Sequence, residues 1–383
     1  MRACLMHSRN QPFEPGFDHL RAFAALLVLF YHSFEHLSGF MAHNSPYAVT
    51  DKMQTHNPFL SLLIEGNTAV ALFIVLSGFL FARSAVGREI LYWPFLRNRF
   101  LRIYPLYIAM IAVALAALQN VPFSSLMMVI IPTANLPAVR DLGVIGSMFW
   151  AVDVEFQFYL IFPFLMRSLN TKGFKPLLAI IAFATLIRFA APSLGGPVAE
   201  ISYWTAVGRI DQFLIGMMAA KLLADRPRIA QKLVWCFIPS MVLMLGIIYV
   251  FNQAGGTDSA ASWRAVWPTI EGLVWATVIC TYLPVARMIP ARLSKWLASI
   301  GAVSFSTYLL HIPILMVIGA HHWFMQPTGH QEYDVLISII VVVCPMVFAV
   351  SALSYYAIEK PFLGMRSRYV TSETRGNPSR SIE

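Results

Sequence analysis

Long apolar blocks separated by short polar connections run through most of the chain. Each block approaches the ~20 residues that a helix needs to cross a bilayer. The pattern predicts spans over residues 18–38, 62–83, 104–119, 148–168, 176–192, 207–224, 233–251, 267–286, 299–323 and 334–357. No internal repeat and no Gly/Ser linker divides them. The expected fold is all-α, a polytopic membrane helix bundle of about ten transmembrane helices. A cytoplasmic segment over 1–17 precedes a transmembrane domain over 18–362, and a polar, disordered cytoplasmic tail over 363–383 follows it. Residues 120–147 fit either an external loop or a re-entrant segment, because the apolar stretch Leu126 to Ile131 is broken by Pro132 and Pro137.

Composition supports that reading. At 383 residues the chain is long enough for two or three soluble domains, but 58% of it is apolar, 12% is charged and the mean hydropathy is +0.64. Soluble domains carry about 25% charged residues. These values exclude a secreted enzyme, a sizeable soluble domain and a nucleic-acid-binding protein. The net charge of +9 follows membrane topology instead. With ten crossings, the side facing away from the termini holds Lys52, Arg140, Arg209 and Arg264, and most of the 28 basic residues fall on the terminus side. Both termini are therefore expected in the cytoplasm, with the first helix as the insertion signal. Cys4, Cys236, Cys280 and Cys344 show no paired spacing, so neither disulfides nor thiolate ligands are expected.

Ionisable residues inside spans carry the chemical information, since each costs about 2.5–3.5 kcal/mol at the midplane unless partnered. Arg21 and His32 share a face of the first span, separated by about 16 Å of helix rise. Counting from the outer helix ends puts His32 and Glu155 at similar depth, roughly 8–11 Å under the outer surface, where both can face one cavity. A carboxylate beside an imidazole suits a general base. The alternatives are ordinary: Arg21 snorkels to headgroups, and a lone histidine packs and hydrogen-bonds. His32, Glu35 and His36 suggest a metal, but His36 sits at the predicted helix end and no third ligand has motif spacing, so no metal is expected.

Arg99 and Arg102, three residues apart at the start of the third span, form a pair of guanidiniums suited to phosphates, although charge alone favours a positive-inside anchor. His311 lies near mid-membrane, and Pro313 frees a backbone carbonyl there, so a structural role stands beside a functional one. Arg209 and Asp211 either contact an external substrate or cap their helix.

Taken together, these features resemble the acyltransferase 3 family of integral-membrane O-acyltransferases, over nearly the whole chain. The matching residues are Arg21-Ala-Phe-Ala-Ala25 followed by His32, Phe73-Ile-Val-Leu-Ser77-Gly78-Phe-Leu80, and Arg99-Phe-Leu-Arg102-Ile-Tyr104-Pro105. Trp150-Ala-Val-Asp-Val-Glu155, Tyr308-Leu-Leu-His311-Ile-Pro313 and Glu359-Lys-Pro-Phe362 complete the set. No single motif is specific; six in order are. The departures are Ala151, where such proteins often carry serine or threonine, and the lack of a hydrolase-like external domain. The second implies either transfer without a fused partner or hand-over to a separate periplasmic acyl-accepting partner.

The resemblance implies acyl transfer, usually acetyl, from cytoplasmic acyl-CoA to a hydroxyl of an envelope or exported polysaccharide or glycolipid. It places the chain in the bacterial inner membrane among lipids, with acyl-CoA as co-substrate and no bound cofactor. On this reading His32 deprotonates the acceptor or briefly carries the acyl group, Arg21 stabilises charge, and Glu155 orients the imidazole or binds the acceptor. Arg99, Arg102, Tyr104 and Ser77 would hold the donor, and Trp150, Arg209, Asp211 and His311 would support the acceptor. A multi-span transporter of a sugar or anion is the competing class. An assembly factor for glycan export is a third, and it predicts that replacing His32 affects only folding.

Overall fold

The computed structural model describes residues 13–46, 54–117, 127, 130, 131 and 148–371. The expected loop over 120–147 therefore lies almost wholly outside the described residues, as do residues 1–12 and the tail from 372 onward. Within them the chain is helical, and its one β-type contact is an isolated bridge between Ile90 and Val370.

In chain order the helices are α1 (Pro15–His43), α2 (Pro58–Ile64), α3 (Thr68–Ala85), α4 (Tyr92–Ala117) and α5 (Phe149–Lys172). Then come α6 (Lys175–Ala190), α7 (Val198–Trp204), α8 (Ala206–Asp225), α9 (Pro227–Gln253) and α10 (Trp267–Ala286). Last are α11 (Ala291–Ala302), α12 (Ser304–Ala320) and α13 (Gln331–Gly364). Seven helices are long and apolar enough to cross a membrane, and α11 with α12, bent by 59°, make an eighth if they form one span. The ten spans expected from sequence include α1 and α8 as well, which are not among these. Both are long enough, but α1 carries Asp18, Arg21 and Glu35, and α8 carries Arg209, Asp211, Lys221 and Asp225. Arg209 and Asp211 are buried inside the bundle, where protein replaces lipid, while Asp18 pairs with Arg21 and Lys221 with Asp225.

Small residues let these two helices approach their neighbours closely, as membrane bundles require. A Cβ on Gly78 of α3 would lie 2.1 Å from the Phe213 carbonyl oxygen of α8, and one on Gly216 of α8 would lie 2.1 Å from the Val75 oxygen. On the other side of α1, a Cβ on Gly301 would stand 1.9 Å from the Asp18 oxygen. The packed layer α8–α3–α1–α11/α12 that results carries Arg21, His32, Ser77, Arg209, Asp211 and His311; Arg99, Arg102 and Tyr104 come from α4, and Trp150 and Glu155 from α5.

Two boundaries differ from expectation. The helix of the third span begins at Tyr92, so Arg97, Arg99 and Arg102 are helical; the stacking of Arg99 and the pairing of Arg102 are described below. Residues 363–371, assigned to the tail from sequence, are instead packed. Asn98 donates to the Ser367 oxygen at 2.7 Å, and Tyr369 is buried beside Ser84, 3.2 Å between hydroxyls.

Candidate active site

The end of the bundle where α1 begins is rich in arginine. Arg83 lies over the Phe17 ring at 5.2 Å and pairs with Glu14, which also meets Arg287 at 2.9 Å. One turn further in, Arg21 pairs with Asp18. Arg102 pairs with Glu359 at 2.8 Å, and this fully buried carboxylate also accepts from Ser306. Glu359 sits in a π-helical turn, Tyr355–Glu359, of α13.

Arg99 is different. Its guanidinium lies over the rings of Phe81, Phe95 and Tyr159 at 4.7, 5.6 and 5.9 Å, and its buried Nε has no hydrogen-bond partner. Arg366, just after α13, is pushed down to about 10 from the usual 12.5, first by burial and then by Arg99 and Arg102. A cation held beside other cations in a half-dry place is a site short of negative charge.

A cavity of about 130 Å³ opens among these groups. Arg21, Ser77, Arg99, Arg102, Glu155, Tyr159 and Tyr308 line it, with apolar side chains such as Phe73 and Ile103 between them. Ser77 donates to Glu155, and the Tyr159 hydroxyl lies beside both. The Tyr308 hydroxyl is buried without a hydrogen-bond partner. Tyr104 stands outside the cavity, stacked on Phe100 at 4.0 Å.

About 16 Å along α1, His32 lies in different company. Its ring is 5.2 Å from His311 and 6.1 Å from His36, and its Nδ1 is 3.5 Å from Glu35 Oε2 without forming a hydrogen bond. The expected pairing of His32 with Glu155 is not what the structure brings together. Glu155 faces the Arg21 cavity, and the carboxylate near His32 is Glu35 of its own helix. Counting from helix ends misled because α5 begins inside the protein, with Phe149 and Trp150 already buried. The first helix also runs to His43, so His36 is not at its end.

Arg209 and Asp211, at the start of α8, belong to buried pairs. Arg188 donates to both oxygens of Asp211, at 2.6 and 3.2 Å, and Thr269 donates to the same carboxylate. Arg209 meets Glu271 at 3.3 Å and lies over Tyr203 and Trp150 at 4.5 and 5.7 Å. Trp150, Tyr203 and Trp204 form an aromatic cluster there, and burial raises the Tyr203 hydroxyl to about 12.

Residues 14–356 match the acyltransferase domain of the acyltransferase 3 family. The chain belongs to that family. It is 24% identical over 339 residues to the membrane-bound transacylase BcsY of Komagataeibacter xylinus, covering 81% of this chain and 80% of the relative. It is 26% identical over 330 residues to the acyltransferase MdmB of Streptomyces mycarofaciens, covering 79% of each. No solved structure matches significantly. The protein is thus a multi-pass membrane enzyme that transfers acyl groups, which sets aside the transporter and assembly-factor readings.

Sequence reasoning missed several groups in this acyltransferase. Arg366 lies beyond the last motif and reads as tail charge, and Tyr159 and Tyr308 were legible as motif residues but not as hydroxyls lining the cavity. Glu359 was legible as a motif residue but not as the partner of Arg102. Glu35 was visible one turn from His32 inside the predicted first span, but it was not read as the carboxylate beside that imidazole.

Proposed function

We propose that this acyltransferase moves an acyl group, acetyl in the first instance, from cytoplasmic acyl-CoA to a hydroxyl of a cell-envelope or exported polysaccharide or glycolipid. The observation that carries the reading is the arginine-lined cavity, where the buried Nε of Arg99 has no partner, on the same face of α1 as His32. Phosphates of the donor would supply acceptors there, and Arg99 and Arg366 are the cations with most to gain. Arg102 contributes less, because Glu359 already holds it. Ten crossings with cytoplasmic termini in a bacterial inner membrane put this cavity on the cytoplasmic side and His32 toward the outer leaflet.

The extended pantetheine arm then runs along α1, past Tyr308, to deliver the thioester near His32. The acceptor hydroxyl gives its proton to His32 as its oxygen bonds the acyl carbon. The carbon–sulfur bond breaks, and the departing thiolate recovers the proton from the imidazolium. Glu155, bonded to Ser77 beside Arg21, balances charge in the donor cavity rather than orienting the base. Trp150, with Tyr203 and Arg209, offers a flat aromatic face for a sugar at the His32 end. A separate periplasmic acyl carrier is an alternative acceptor of the same chemistry.

The test uses purified protein in lipid nanodiscs with radiolabelled acetyl-CoA and an envelope-glycan extract of the host. Label should pass to the glycan fraction with wild type and not with His32→Ala, which still binds donor. Equal transfer by His32→Ala contradicts the base assignment, and no transfer by folded wild type with several acyl donors contradicts this donor–acceptor pair.

A further inference from the structure

The two grounds for expecting no metal at His32 and His36 fail in the folded chain. Helix α1 continues to His43, and Glu35 joins the histidines so that one ligand atom from each of His32, Glu35 and His36 lies within 4.8 Å of the others. The i, i+3, i+4 spacing puts all three on one helix face.

The histidine tautomers add a second, independent observation. His36 Nδ1 is 2.6 Å from the Pro46 carbonyl oxygen, so Nδ1 carries the proton and Nε2 the lone pair. His311 does the same from α12. Its Nδ1 donates to the Thr307 oxygen at 3.0 Å, and its Nε2 is fully buried with no hydrogen-bond partner. Histidine ligands ordinarily donate their second ring nitrogen to a carbonyl in this way, which fixes the tautomer. The His311 ring stands 5.2 Å from His32, across the helix interface from the other ligands. A buried imidazole nitrogen with an unused lone pair costs free energy unless something with positive charge meets it.

We propose that His32, Glu35, His36 and His311 bind a divalent transition-metal ion of the zinc class, and that the bound ion switches off acyl transfer. Three imidazoles and one carboxylate make a four-coordinate donor set suited to Zn2+. The inhibition rests on the reading of His32 as base. With a metal on Nδ1, the nitrogen nearest Glu35, the imidazole keeps its proton on Nε2 and has no lone pair for a hydroxyl. The ion at once blocks the base and ties α1 to α12.

The test takes the full chain without a polyhistidine tag, in nanodiscs, stripped with a chelator and titrated with Co2+ as the spectroscopic probe. The expected result is the visible absorption of four-coordinate Co2+, saturating at about one ion per chain and displaced by Zn2+. Glu35→Gln, at a half-exposed position, should weaken Co2+ binding at least tenfold, and His311→Ala should lower it further or remove the four-coordinate band. Zn2+ should inhibit wild-type transfer reversibly, and Glu35→Gln should need at least tenfold more Zn2+ for half-inhibition of its own metal-free rate. Absence of a saturable band, or a band unchanged in both variants, overturns the site; full transfer by Zn2+-loaded protein overturns the inhibition. Metal-free wild type that transfers nothing counts against the proposed reaction and not against the site, since the Co2+ band is read without turnover.

Discussion

Arg188 and Arg99 are both arginines inside a membrane bundle, yet their surroundings are opposite. Arg188 is fully buried and spends its nitrogens on the Ala265 and Val207 carbonyls, on Thr185 and on both oxygens of Asp211. Arg99 lies on aromatic rings at the edge of a cavity, with its Nε unmatched and Arg366 and Arg102 nearby. A charge whose donors are all met inside the protein can do little but hold helices together. One left short of acceptors is stabilised by whatever anion enters. On this comparison Arg188 and Asp211 belong to the scaffold, and Arg99 and Arg366 are the arginines proposed for ligand binding.

The largest effect should come from breaking the closed pair. Asp211→Ala leaves the Arg188 guanidinium buried and uncompensated, a loss of about 3–5 kcal/mol. Folded yield and unfolding temperature in detergent should fall sharply. An Asp211→Ala protein as stable as wild type would erase the distinction drawn between the two arginines. Next comes Glu359→Gln, which frees Arg102 toward the cavity. It should cost about 1–3 kcal/mol of stability, as a charged group loses its partner. Acyl-CoA affinity should be kept or improved, read by equilibrium binding; weaker binding would make the Arg102–Glu359 pair part of the donor site as a unit.

The smallest stability effect is expected at Arg366. Its folded value of about 10 lies below the 12.5 of a free guanidinium, so between these values the unfolded chain binds more protons than the folded one. Stability then rises with pH across that window, and at neutral pH the charge of Arg366 works against the fold. Arg366→Gln should therefore unfold at the same temperature as wild type or higher at pH 7, the gap narrowing above about pH 10. Added CoA should raise the unfolding temperature of wild type more than that of the variant. A variant less stable at neutral pH, or one that gains equally from CoA, would move Arg366 to the scaffold.

Most of the fold was legible because apolar blocks of membrane length can be read directly, and six short motifs in order pointed to the family. Partner choice was not legible. Nothing in the local sequence ties Arg102 to Glu359, or Arg188 to Asp211, because these pairs form across helix interfaces set by glycines such as Gly78 and Gly216. Depth was misjudged for the same reason: Trp150 and Glu155 belong to a helix that starts inside the protein. Arg21, Ser77, Arg99, Arg102 and Glu155 nevertheless line one cavity, while Tyr104, also read as holding the donor, stands outside it. His32 and His311 meet elsewhere, with Glu35.

The most direct test of the account is equilibrium binding of labelled acyl-CoA to nanodisc-embedded wild type and Arg99→Gln, with unfolding temperature measured on the same samples. The account predicts saturable binding weakened at least tenfold by Arg99→Gln at an unfolding temperature close to wild type. Equal affinity in the two proteins would contradict the claim that unsatisfied arginines mark the donor site.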